Sequence, residues 1–280
     1  MKIGITGASG QLGTLVVEQL KKRADAANLV ALVRSPEKVE GIEARAFDYE
    51  KPDKLPGALQ GIESLLLISG NEIGKRARQH ENVIKAAKEA DVKWIVYTSI
   101  LKADTSTISL AKEHLITENL LKDSGIPFTI LRNGWYTENY TGSVAGAVEA
   151  GAFIGSAGDG KISSASRIDF AEAAAVVLTG TGHQGKVYEL AGDQAYTLTE
   201  LAEEISKQTG KNIPYQNLPE QEYSKALKGM GIPDAFAEGI ASWDVSASKG
   251  DLYDNSKTLS TLIGRPTTPM AAEVKNALNN

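Results

Sequence analysis

Apolar runs recur along the first half of the chain at residues 2–6, 29–33, 44–47, 64–68, 93–97 and 128–131. Between them, residues 11–23, 75–90 and 109–124 carry apolar positions at helical spacing. Runs that are apolar at consecutive positions suit strands covered on both faces. Strands alternating with helices of crossover length predict a parallel, doubly wound α/β sheet of six strands. The stop signals agree, because Asp91, Gly125 and Pro127 stand where a helix must hand over to a strand.

Beyond residue 132 the pattern loosens into glycine-rich stretches at 151–155 and 158–160, followed by an alanine-rich helix over 169–178. A further strand is expected over 187–190. The next helix is opened by Thr197 or Thr199, with Glu200 and Glu203 as capping partners. The remainder to Asn280 reads as mostly helical, with a short strand near Ile213. This predicts a larger domain over 1–132, to which some later segments return, and a smaller α/β domain over 133–280 packed against it as a lid.

Composition narrows the chemistry. A 280-residue chain with 42% hydrophobic residues can bury a sizeable core without covalent staples. With no cysteine and only His80, His114 and His183, it offers no disulfide, no thiolate nucleophile and little from which to build a metal centre. A formal charge of −5 without a long Lys/Arg run argues against nucleic acid as the partner. The first apolar run begins almost at Met1, no secretory leader is legible and no apolar stretch reaches spanning length, so the expected location is the cytoplasm. The oligomeric state, including a homo-oligomer, is left open.

The most specific local signal follows the first strand: Thr6, Gly7, Ala8, Ser9, Gly10, Gln11, Leu12 and Gly13 form G-x-x-G-x-x-G at the opening of an amphipathic helix. Gly7 suits the tight turn, Gly10 lets backbone N–H groups approach a pyrophosphate, and Gly13 lets the helix pack closely on the sheet. The helix N-terminus favours the anion. Strand, triplet and helix coincide here, which sets the motif apart from an ordinary glycine turn and marks a Rossmann dinucleotide site. At the end of the second strand, where NAD sites place a carboxylate on the ribose 2′-hydroxyl, stands Arg34, with Lys38 close behind. A guanidinium there can take a 2′-phosphate bidentately, which selects NADPH; its bland reading is a solvated strand end.

Together with the glycine loop, residues 65–69, 97–99, 124–127, the segment Leu131, Arg132, Asn133, Gly134, Trp135, Tyr136, and residues 246–250 make the chain resemble the NADPH quinone oxidoreductase 2 family. That family is an NmrA-like branch of the atypical short-chain dehydrogenases. The resemblance runs over essentially the whole chain. It implies a Rossmann domain with a small C-terminal α/β domain, and NADPH and a quinone in the cleft between them. It also implies cofactor contacts at Gly7, Ala8, Ser9, Gly10, Gln11 and Leu12, at Arg34, at Ser69, Gly70 and Asn71, and at Asn133, Gly134, Trp135, Tyr136, Thr137 and Glu138. The chain departs from the family at Gly70 and Asn71, where serines are the pattern, so that loop is expected to offer backbone contacts.

Short-chain dehydrogenases commonly use a Tyr-x-x-x-Lys pair on the helix after the fifth strand. Here Leu110 and His114 occupy those positions, and Tyr253 with Lys257 is a chance match far outside the Rossmann half. No catalytic residue is assigned. Reduction of a ketone produces a strongly basic alkoxide, whereas a quinone yields a phenolate-like anion with a conjugate acid pKa of roughly 10, so water can supply the proton. Asn133, Trp135, Tyr136 and Asn139 are candidate quinone contacts, with core packing the bland reading of the aromatic pair. Ser99 has two readings, superfamily serine or loop cap, and Asp48 two more, adenine neighbour or turn. His114 is expected to be a half-exposed packing residue, and Lys75 with Arg76 to begin a solvated helix. The competing function is an NADP-sensing, NmrA-like redox regulator acting through protein partners.

Overall fold

The computed structural model describes residues 1–279. In chain order its main elements are β1 (Ile3–Thr6), α1 (Gln11–Lys21), β2 (Leu29–Val33), β3 (Glu43–Ala46), α2 (Leu55–Ala58), β4 (Ser64–Leu67), α3 (Arg76–Glu89), β5 (Trp94–Ile100), α4 (Ala111–Ser124) and β6 (Phe128–Asn133). Then follow α5 (Glu138–Thr141), α6 (Val144–Ala150), β7 (Phe153–Gly155), α7 (Arg167–Thr179), β8 (Val187–Leu190), α8 (Leu198–Thr209) and β9 (Tyr215–Asn217). The chain closes with α9 (Glu220–Gly229), α10 (Asp234–Ser248), α11 (Thr258–Ile263) and α12 (Met270–Asn279).

Two compact units emerge. The first comprises Met1–Asp104, Leu110–Asn133 and Arg167–Leu190; the second comprises Thr105–Ser109, Gly134–Ser166 and the chain from Ala191 onward. The first holds a seven-stranded parallel sheet in the order β3-β2-β1-β4-β5-β6-β8. Strands β1, β2, β4 and β5 are buried at every position and β6 at all but Phe128, while the two edge strands are more open, as expected where helices cover both faces. Leu65 and Leu67 share one buried cluster with Val83 and Ile84 of α3 and Leu121 of α4, while α7 packs on α1 and is tied to it by the Arg23–Glu172 ion pair at 2.7 Å.

Connections are made as the stop signals require. Asp91 and Gly125 both take positive φ, 61° and 78°, between helix and strand. The order reverses between β1 and β4: β2 and β3 extend from one side of β1, and β4, β5, β6 and β8 from the other. A crevice at the carboxyl ends of these two strands is the general ligand position of such sheets.

In the second unit a two-stranded parallel sheet pairs β7 with β9. The glycine-rich stretch at 151–155 thus contains a strand that periodicity did not reveal, and the strand expected near Ile213 begins two residues later. Helix α8 opens at Thr197 with a full capping box to Glu200. Among the described residues, no helix is long and apolar enough to cross a membrane, and no group of three His, Asp or Glu is placed to hold a metal ion.

Candidate functional site

The glycine loop leaves β1 through Gly7, at φ +59°, whose N–H donates to Leu32 O at 3.0 Å and whose carbonyl accepts from Gly10 N–H at 2.9 Å. Gly13 lies against this turn so closely that a Cβ on it would stand 2.1 Å from Gly7 O and 2.7 Å from Ala8 Cα. No larger residue fits without moving the turn. Gly10 is the N-cap of α1, no side chain caps the helix, and its first turn contains no acid. Its terminal N–H groups are therefore unclaimed by any acidic or capping side chain, and Gly7, Ser9, Gly10 and Gln11 are exposed around them. This cradle suits a pyrophosphate, by close backbone approach and by the positive end of the helix dipole. Arg34 is exposed at the end of β2, beside the strand that carries the loop.

The loop after β4 is held from several elements at once. Ile68 N–H donates to Thr6 Oγ1 at 2.9 Å, Ser69 N–H to Thr98 Oγ1 at 3.0 Å and Gly70 N–H to His80 Nε2 at 3.0 Å. Tyr49 OH donates to Ile68 O at 3.1 Å, and Arg76 Nε donates to Gly70 O at 2.8 Å. Arg76 is therefore not the start of a solvated helix. It is buried, its Nη1 reaches Glu113 Oε2 at 3.3 Å, and only Lys75 faces solvent. The expectation treated the two cations alike because sequence spacing does not reveal which one α4 covers.

Beneath β5 and β6 lies an ion network. Arg132 forms a bidentate pair with Glu118, Nε to Oε1 at 2.9 Å and Nη2 to Oε2 at 2.8 Å, and its Nη1 meets Glu189 at 2.8 Å and Asp104 at 3.1 Å. Ser99 is buried and donates its hydroxyl to Glu118 Oε1 at 2.7 Å. Ser99 is therefore not a loop cap: it lies within β5, and its hydroxyl proton is committed to Glu118. Asn133 follows Arg132 on β6, and alternation along a strand turns it to the opposite face. Its Oδ1 is buried with no hydrogen-bond partner among the described residues, a costly state that a bound group would relieve.

His114 is buried rather than half-exposed, and its Nδ1 lies 2.7 Å from the Tyr97 hydroxyl. Burial foremost, and then the nearby Arg76 and His80, hold it well below the ordinary histidine range, so it stays neutral. Burial likewise pushes the Tyr97 hydroxyl far above its usual range. Asp48 is a turn residue: it accepts Glu50 N–H at 3.1 Å and pairs with Lys51 at 3.1 Å.

Gly134, Trp135, Tyr136, Thr137, Glu138 and Asn139 belong to the second unit. There Trp135 is half-buried with its ring edge-on to Trp243 at 5.8 Å, Tyr136 bridges to Ala165, and Asn139 is exposed on α5. Thr137 is buried against Ser164, 2.8 Å between hydroxyls. A small cavity of about 110 Å³ in the same unit, lined by Ser164, Asp193, Tyr196 and residues 266–270, offers no open chemistry. Asp193 accepts from Ser260 Oγ at 2.6 Å and Thr267 N–H at 3.1 Å, and Tyr196 is bonded to Ser164.

Sequence reasoning gave no site role to His80, Glu118 and Thr98, named Thr6 only as part of the glycine loop, and placed Arg76 in solvent. Only the spacing of Arg76 and His80, one helical turn apart, was visible as a signal, and it is common on any helix.

Comparison with known proteins adds to this geometry. The NAD(P)H-binding family profile matches residues 7–181. Quinone oxidoreductase 2 of Escherichia coli strain K12 is 57% identical over 282 residues, covering 99% of each chain. The crystal structure of the NADPH-dependent quinone oxidoreductase of E. coli complexed with NADPH superposes with a TM-score of 0.97, covering 99% of this chain and 100% of that one. Triphenylmethane reductase of Citrobacter sp., complexed with NADP(H), is 40% identical with a TM-score of 0.95, over 99% of this chain and 100% of that one.

Proposed function

The chain belongs to the quinone oxidoreductase 2 family, an NmrA-like branch of the NAD(P)H-binding proteins, and from that membership we propose that it is an NADPH-dependent quinone oxidoreductase. The reaction balances as quinone plus NADPH plus one proton giving hydroquinone and NADP⁺. Bound NADPH would supply the hydride and water the proton, and the residues of this chain bind and orient the two reactants.

The glycine cradle of Gly7 to Leu12 would hold the pyrophosphate, Arg34 the 2′-phosphate, and the Ser69–Asn71 turn and Asn133 the remainder of the cofactor, with Gly134 to Glu138 continuing the contact. These residues fit the group: the cradle has no room for a Cβ at Gly13, its helix end carries no competing acid, and Asn133 Oδ1 is a buried acceptor awaiting a donor. Arg132, locked by Glu118 and Glu189, keeps the end of β6 in place so that Asn133 points consistently. Trp135, Tyr136 and Asn139 are the proposed quinone contacts, orienting a flat ring by stacking and hydrogen bonding. The first unit, through Asn133, would serve most of the cofactor, and the second unit would supply the continuing contact of Gly134 to Glu138 together with the quinone contacts.

The observation that carries this reading is the state of α4 where the superfamily places its acid. Leu110 has no proton to give, and His114 is buried, neutral and bonded to Tyr97. An enzyme so built serves an acceptor whose reduced anion is weakly basic, since the transition state then needs little help from a positioned acid. The test follows NADPH oxidation with 1,4-benzoquinone and, separately, with simple aliphatic ketones and aldehydes. Rapid turnover with the quinone and negligible turnover with the carbonyl compounds is expected. NADPH binding without quinone turnover would favour the regulator, and fast ketone reduction would require a proton donor outside this account.

A further inference from the structure

Resting on the NADPH reading above, we propose that Arg76 and His80 are positioning residues: they clamp Gly70 and so fix the Ser69–Asn71 turn in the shape that receives the cofactor.

The clamp engages both polar groups of one peptide residue. Gly70 donates its N–H to His80 Nε2 at 3.0 Å, and its carbonyl accepts Arg76 Nε at 2.8 Å. Because the backbone N–H can only donate, Nε2 must be the unprotonated nitrogen, and Nδ1–H is then the donor to Thr117 Oγ1 at 2.9 Å. The Thr117 hydroxyl in turn donates to Glu113 O at 3.1 Å. Glu113 accepts Gly74 N–H at 3.0 Å with one carboxylate oxygen and meets Arg76 with the other. Two pairs of residues one turn apart, Arg76 and His80 on α3 and Glu113 and Thr117 on α4, thus grip the connection between β4 and α3 at both ends.

The two clamping side chains are buried, His80 at 0% and Arg76 at 5% exposure, as is Thr117, while Glu113 is partly exposed. A buried histidine and a buried arginine spent on one glycine peptide are costly unless that peptide's placement matters. The turn stands next to the glycine loop, since Ile68 N–H is bonded to Thr6, the residue before Gly7. Clamping also decides what the turn can offer. With the N–H groups of residues 68, 69 and 70 all taken by protein side chains, the backbone contact expected at Gly70 cannot come from its N–H, and Ser69 Oγ and Asn71, by backbone or side chain, are left to bond a ligand. A Cβ at Gly70 would stand 3.1 Å from Gln79 Oε1, so a side chain there would require the Gln79 amide to shift slightly.

The test compares the full-length native protein with His80→Leu, which cannot accept the Gly70 proton, and His80→Gln, whose amide oxygen reaches a similar position to Nε2. NADPH affinity is measured by fluorescence titration, KM and kcat with benzoquinone, and amide exchange over residues 68–74. For His80→Leu the expectation is faster exchange in that segment and a rise in Kd and KM for NADPH of about tenfold, with kcat at saturating NADPH changed less than about threefold. His80→Gln should restore Kd to within about threefold. A merely structural histidine would lower the melting temperature of both variants and leave Kd alone. Unchanged Kd in folded His80→Leu, or no rescue by Gln, overturns the proposal. Should His80→Leu fail to fold, Thr117→Val unfastens the histidine from behind, and a Kd unchanged by it is equally fatal. A native protein that does not bind NADPH overturns the cofactor reading first and the clamp with it, which separates the two failures.

Discussion

The hydroxyl of Tyr97 on β5 and Nδ1 of His114 on α4 meet at 2.7 Å inside the first unit, and this contact occupies the place where related dehydrogenases keep the lysine of their catalytic pair. A neutral, buried imidazole joined to a neutral phenol is a packing device. Replacing His114 with Asn, which retains a polar group near Nδ1, should leave quinone turnover within about tenfold, below the 10²–10⁴-fold expected of a lost general acid. His114→Ala should instead cost about 2–4 kcal/mol of unfolding free energy, because it opens a void and strands the Tyr97 hydroxyl. A variant that stays folded and binds NADPH but loses more than about a hundredfold in kcat would make His114 catalytic.

The same burial links stability to pH. Burial first, and Arg76 second, hold His80 at about 3 and His114 well below 6.5. In the unfolded chain both take a proton near pH 6.5, so the unfolded state binds more protons below that value. The two histidines' contribution to stability is fully present above pH 6.5 and is lost as the pH drops towards the folded-state values, by up to about 1.4 kcal/mol per unit for each histidine. Urea unfolding between pH 7.5 and 5.5 checks this, and His80→Gln should flatten the slope.

Asp244 in the second unit behaves oppositely. It is buried, accepts Ser156 N–H at 2.9 Å and Tyr140 OH at 3.4 Å, and burial raises its pKa from 3.8 to about 6 despite those bonds. Between those two values the folded state binds more protons than the unfolded chain, so stability falls as the pH rises through that window and stays lowered above it. Asp244→Asn keeps an acceptor for Ser156 and removes the buried charge. It should stabilise the protein at pH 7.5 by about 1–3 kcal/mol relative to the native chain, with little gain at pH 4. Equal effects at both pH values would show that Asp244 is not carrying a costly charge.

Arg34 is expected to set the choice between cofactors. Arg34→Asp should reduce the ratio of NADPH to NADH affinity by a factor on the order of 10–100, through loss of a charge-assisted pair and gain of a repelling carboxylate. Fluorescence titration with each cofactor measures it. An unchanged ratio would move the 2′-phosphate to another cation, with Lys38 the nearest in sequence.

Much of this molecule was written locally. The six apolar runs became strands within a residue or two, apart from the longer ends of β5 and β6, and the glycine spacing from Gly7 to Gly13 became a turn and an uncapped helix start. These features depend on residues a few positions apart, whose backbone preferences and burial repeat with a regular period. Thr197 and Glu200 are three residues apart, and their capping box was legible for the same reason.

What only the tertiary structure decided is which polar residues are buried and what they meet. Periodicity marked α3 and α4 as helices but could not say that Arg76 and His80 on one would face Glu113 and Thr117 on the other, 37 residues away, with a glycine peptide between them. Nor could it say that Ser99 and Arg132 converge on Glu118, that His114 is interior, or that Asn133 Oδ1 is left without a donor. A polar side chain's environment is set by whatever element is laid over it, and that depends on strand order and helix packing across the whole sheet. The sequence alone marked the glycine loop expected to cradle a dinucleotide; the packing of helices on the sheet determined which side chains hold the neighbouring turn and left His114 buried and neutral against Tyr97.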